Sequence, residues 1–157
     1  MTTLTRVIVA SLVALLALAC APTAPTPPVD IGPLVTVMTR GGECKDGPCG
    51  SLVAISNDGH VRQVKPEAIE VGTLNADTLT ALQSAIATTD FEAIQAVPFT
   101  GECPTNFDGQ EVIWEFAAPS GPVRIASCEV QVDPTAPVFV GVSEALASVG
   151  ATPPTTP

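Results

Sequence analysis

The sequence predicts an α+β domain, an antiparallel sheet of about five strands with helices packed on one face. Three observations lead there. Short β-branched runs bounded by Gly, Pro and Asx turns occur both before and after a helical segment. Two segments carry apolar residues at helical spacing behind Asn, Asp or Pro starts. The strands follow one another directly and the helices stand apart from them, which favours α+β over the alternation of a parallel sheet.

Residues 34–39 are β-rich and run into Arg40, Gly41 and Gly42, where the glycines predict the end of the first strand. Residues 51–56 and 60–65 read as two strands around Asn57-Asp58-Gly59, because Asp-Gly suits the positive φ angles of a tight hairpin. Asn75 stands as a helix cap ahead of Leu79, Leu82 and Ile86, which share one face. Asp90 caps a further short turn carrying Phe91, Ile94 and Val97. After a polar loop at 98–109, Val112, Trp114 and Phe116 alternate with Glu111, Ile113 and Glu115, predicting a strand with one buried and one mostly wet face. Trp114 is therefore read as a core residue. Ser120-Gly121 turns the chain into an antiparallel partner at 123–130. Pro137 opens a last helix whose stripe is Val138, Val142, Leu146 and Val149, and Gly150 stops it. The predicted order is three strands, a helix, two strands and a helix.

The chain has 157 residues and a formal charge of -10, from six Lys and Arg against sixteen Asp and Glu. That balance excludes nucleic acid as a partner, because phosphate binding needs clustered cations. Residues 7–19 form an apolar stretch of 13 behind Arg6, the pattern of a secretory signal occupying residues 1–19. The stretch is shorter than the roughly 20 residues that span a bilayer. It ends Ala17-Leu18-Ala19-Cys20, and on those residues the chain resembles a bacterial lipoprotein precursor. The resemblance implies cleavage after Ala19, lipid on the Cys20 thiol, and a protein held by acyl chains at a membrane of the bacterial envelope, on its periplasmic or extracellular face. Ala17 and Ala19 also satisfy a plain secretory cut, which would leave Cys20 as an unpaired thiol. Residues 20–29 are a Pro/Thr-rich spacer, 30–150 a single globular domain and 151–157 a tail too poor in apolar residues to pack. Cleavage would remove only Arg6 among the charges, so five of the six cations would face all sixteen acids.

Setting Cys20 aside leaves Cys44, Cys49, Cys103 and Cys128, an even set that predicts disulfides in an exported domain. Four cysteines permit three pairings. Lys45-Asp46-Gly47-Pro48 is a turn-forming insert that favours Cys44 with Cys49, leaving Cys103 with Cys128. A zinc site fits poorly, since Cys103 and Cys128 lack the closely spaced neighbours of zinc knuckles. Asp58-Gly59 and Asp108-Gly109 are explained by turn chemistry without calcium. No phosphate loop, dinucleotide fingerprint or zincin helix is present, so neither cofactor nor metal is expected. His60 is the sole histidine and reads as an exposed residue flanking a turn. Without an evident partner for it, the sequence predicts a non-catalytic domain. The most unusual polar stretch is Arg40-Gly41-Gly42-Glu43, a candidate loop for contacting a protein partner.

The layout also resembles emfourin, an inhibitor of thermolysin-like metallopeptidases, in an early strand leading to Gly41-Gly42, a helix followed by Asp90-Phe91, a strand pair and a terminal helix. A second resemblance is to exported domains with a Cys-bearing segment and an Asp-Gly hairpin, here 44–64. The cysteines and the lipid signal depart from the inhibitor pattern, and no inhibitory residue carries over. A membrane-bound binding or scaffolding domain is the first expectation, and a membrane-displayed inhibitor of a secreted metallopeptidase the second.

Overall fold

Alternating β-branched residues and a Gly-marked turn produce the first half of the sheet. In the computed structural model, which describes residues 32–44 and 47–153 and only the backbone of residues 44, 47 and 48, β1 (Pro33–Cys44) pairs antiparallel with β2 (Gly47–Ser56). Strand β2 turns into β3 (His60–Lys65) through Asn57-Asp58-Gly59. Gly59 alone there takes a left-handed φ, 88°, and its N–H donates to the Ser56 carbonyl at 3.0 Å. The signal segment, Cys20, the spacer and the last four residues lie outside the described residues.

A fourth strand, β4 (Ile69–Thr73), pairs with β3 and was not expected from the sequence. It is short and lies at the sheet edge, with little apolar alternation to mark it. Helix α1 (Ala76–Thr88) starts where Asn75 Oδ1 accepts from the Thr78 N–H at 2.9 Å, and α2 (Phe91–Gln95) starts on the matching bond from Ala93 to Asp90. Strands β5 (Glu111–Ala118) and β6 (Gly121–Ala126) form the second hairpin, and α3 (Pro137–Ser148) follows. The sheet has six antiparallel strands in the order β4-β3-β2-β1-β5-β6. The class is α+β as expected, with six strands in place of five because β4 was missed.

The core lies on one face of this sheet. Val35, Val37, Ile55, Val61, Val112, Trp114, Phe116 and Ile125 point from the strands into a cluster with Leu82 and Ile86 of α1, Phe91 of α2, and Val138, Phe139, Val142 and Leu146 of α3. At Gly141 α3 faces α1, where a Cβ would stand in ordinary contact, 3.6 Å from Leu82 Cδ1. Phe116 links three elements, its ring centroid lying 5.0 Å from Phe91 and 6.2 Å from Phe139.

The opposite face departs from expectation at one end. Glu115 is exposed as predicted, but Glu111 and Ile113 are each 2% exposed. In register, Ile113 stands between Met38 and Ala126, and Glu111 stands opposite Arg40. Strand β6 ends at Ala126 rather than continuing to residue 130, because Ser127 leaves the ladder. Its hydroxyl accepts the Val112 N–H at 3.0 Å while its own N–H donates to the Val112 carbonyl at 2.9 Å. Val130 then makes an isolated bridge to Pro98, fixing the base of the polar loop.

Candidate binding site at the hairpin corner

Strand β1 does not stop at its glycines. The β1–β2 register shifts between Arg40 and Glu43, and pairing resumes at Glu43 opposite Pro48. Gly41 and Gly42 absorb the shift with φ of 90° and 77°, a backbone that β-carbons disfavour. The bulge also makes room. A Cβ on Gly41 would lie 2.6 Å from Thr105 Cγ2 and 3.0 Å from the Gly109 carbonyl oxygen, so the 98–110 loop rests directly on this backbone.

Two bonds hold the loop there. A 3₁₀ turn (Pro104–Phe107) ends at Asp108, which takes a left-handed φ of 63°. The Asp108 carboxylate accepts the Glu43 N–H, tying loop to hairpin. Cys103 is joined to Cys128 in a disulfide with a Cα–Cα distance of 5.1 Å, which fastens the loop to the segment after β6. Cys49 is disulfide-bonded too, but the proposed pairing with Cys44 falls on a side chain outside the described residues.

The corner encloses an open cavity of about 410 Å³ lined by Arg40, Gly41, Cys103, Thr105, Glu111, Cys128 and Glu129. Arg40 Nε donates to Glu111 Oε2 at 2.5 Å. The pair is lopsided, with side-chain exposure of 57% for Arg40 and 3% for Glu111. Glu111 Oε1 is buried and accepts no hydrogen bond among the described residues. Across the cavity Glu129 takes Arg124 Nη1 on both oxygens, at 3.0 and 2.8 Å. Phe107, on the same loop, is 66% exposed.

The residues singled out in the sequence therefore divide. Arg40 and Gly41 line the cavity, Gly42 packs behind it against the Asp108 carbonyl oxygen, and Glu43 is tethered through its backbone. Sequence reasoning missed Glu111, Thr105 and Phe107. Cys20 lies outside the described residues.

His60 belongs to a different surface. It is exposed and flanks the turn, as expected, and its Nδ1 lies 2.8 Å from Glu70 Oε1, while Arg62 Nε donates to Glu70 Oε2 at 2.9 Å. The hydrogen bond to Glu70, helped by the charge of Asp58, raises the His60 pKa above the usual histidine value. Bonds from Arg62 and His60 lower that of Glu70. We expect a histidine titration followed by NMR to place the His60 midpoint above that of a free peptide, and Glu70→Gln to bring it back. The signs are opposite for the two groups. The His60 contribution is present at acid pH and fades as pH rises through its raised pKa, whereas the Glu70 contribution fades as pH falls through its lowered one. An unchanged midpoint in Glu70→Gln would show that the pair does not form in solution.

Among the described residues, no group of three or more His, Cys, Asp or Glu is arranged to hold a metal ion, and no helix is long and apolar enough to cross a membrane. Fold and site together define an α+β domain with a disulfide-pinned loop seated on a bulged hairpin. No family model, no curated protein and no solved structure matches this chain.

Proposed function

We propose that this chain is a non-catalytic, lipid-anchored protein of the bacterial cell envelope, whose domain binds a protein partner at the hairpin corner. The observation that carries the binding reading is Phe107, two-thirds exposed on a loop that a disulfide holds rigid beside Arg40 and Glu43. An aromatic side chain kept in water on a stiff support is the usual make-up of an interface anchor, since little entropy is lost when it is covered. The anchoring reading rests on Cys20 directly after Ala17-Leu18-Ala19, and on a domain disulfide that suits an oxidising compartment. Two or three acyl chains would make attachment stable where one would not.

Growth with labelled palmitate tests the anchor. The wild type should carry label and sediment with membranes, and Cys20→Ser should lose both; an unlabelled wild type overturns it. A photo-crosslinking residue at position 107 should give a discrete adduct in intact cells, abolished by reversing the charge at the corner with Glu43→Arg. The second reading, an inhibitor of a secreted metallopeptidase, is favoured by one feature. The β1–β2 hairpin continues to Cys44 beyond its last β5 partner, Arg40, and so could enter a cleft. Absence of inhibition across thermolysin-type enzymes would dispose of it.

A further inference from the structure

Deepening the binding-domain reading on which it rests, we propose that the corner cavity receives a primary ammonium group, of the kind a lysine side chain presents. Glu111 is the reason. A carboxylate can accept about four hydrogen bonds, but this one, 3% exposed, receives among the described residues only Arg40 Nε on Oε2 and nothing on Oε1. A buried, unsatisfied charged acceptor is costly, and a donor that completes it is favoured beyond the contact itself. Glu111 stands in the wall of a cavity of about 410 Å³, which is room for a donor and its stem.

The chemistry of the wall selects the donor. Two carboxylates, Glu111 and Glu129, line the cavity; Arg40 engages the first on Oε2 and Arg124 the second on both oxygens, so among the described residues the acceptor left over is Glu111 Oε1, which calls for a donor. A guanidinium binds best as a fork across both oxygens of a carboxylate, and Oε2 is taken by Arg40; a point donor suits the one oxygen left. Gly41, Cys103, Thr105 and Cys128, which also line the cavity, carry no charge and suit a methylene stem. Arg40 is more than half exposed, so its stem can shift to admit the group to Oε1 while its Nε stays on Oε2.

The source is either a lysine of a protein or a free alkylamine, and one titration separates them. The ¹⁵N-labelled full chain is titrated at low ionic strength with Nα-acetyl-lysine N-methylamide and with n-butylamine. The norleucine and arginine N-methylamides serve as controls. Both amines should give saturable amide shifts centred on Gly41, Thr105, Glu111 and Glu129, with the norleucine compound giving none and the arginine compound binding more weakly. Tighter binding of the lysine compound than of butylamine assigns the site to a protein partner, and equal binding assigns it to a small amine. Glu111→Gln should weaken binding by about tenfold or more, the loss of a charged acceptor. Should that variant fail to fold, Glu129→Lys on the exposed rim supplies a tethered competitor and should weaken binding by several-fold. No saturable shift with either amine, or equal shifts from the norleucine compound, overturns the proposal. The palmitate experiment is independent, so loss of the anchor and loss of this site give different results.

Discussion

Phe116→Ala should lower the unfolding free energy by about 3–5 kcal/mol, among the largest losses expected from a single substitution in the domain. Phe116 is 1% exposed and stands on β5, between Val35 of β1 and Val123 of β6. Its ring touches Phe91 and Phe139, so truncation opens a void where α2 and α3 both meet the sheet. None of these partners can collapse into the space without leaving another contact. Urea unfolding read by Trp114 fluorescence is the measurement, since Trp114 is the only tryptophan, is buried, and packs edge-on to Phe139 at 5.0 Å. A loss under about 1 kcal/mol, the size of an ordinary surface or peripheral change, would mean that the aromatic cluster is not the centre of the core.

The double substitution Cys103→Ser with Cys128→Ser should cost about 3 kcal/mol. The bridge closes a loop of 25 residues in sequence, and in the chain-entropy view its main effect is to restrict the unfolded state. There is a local effect as well. Without the bridge the 98–110 loop keeps its Asp108 bond to Glu43 and its contact with Gly41, but loses its covalent hold on the segment after β6. Hydrogen exchange at the Glu43 amide should therefore accelerate more than exchange in β3, on the other side of β2. Uniform acceleration would show that the bridge acts on global stability alone.

Much of the sheet and its helices could be read from local signals. Asn75 and Asp90 each cap the helix they were expected to cap, because an Asx side chain before an apolar-periodic run satisfies helix N–H groups in few other ways. The glycines at 41 and 42 were read as an end and are a bulge; the same positive φ serves both, and the pairing of Glu43 with Pro48 that decides between them is not visible in the residues before it. Strand β4 escaped because an edge strand needs neither apolar faces nor alternation, its neighbour supplying the hydrogen bonds. Glu111 was indistinguishable from Glu115 in the sequence. They share a face and a spacing, but Glu111 lies at the corner shared with Cys103, Thr105 and Cys128 and is buried, while Glu115 stays in water. Arg40 could be singled out as unusual, but its partner lies 71 residues away, beyond any local pattern.

That separation bears on how the sheet comes into being. Strands β1 to β4 are a meander in which every neighbour in space is a neighbour in sequence, whereas β1 meets β5 only after the intervening chain has been made. Closing such a distant pairing loses chain entropy before contacts reward it, which places the β1–β5 seam late in assembly and folding in the slower, millisecond-to-second class. Until the seam closes, Val35–Arg40 of β1, mostly Val, Met and Thr, form an open edge. A chain delivered N-terminus first would carry this edge unprotected for longest, so mis-assembly through β1, rather than loss of the finished fold, is the hazard this topology creates.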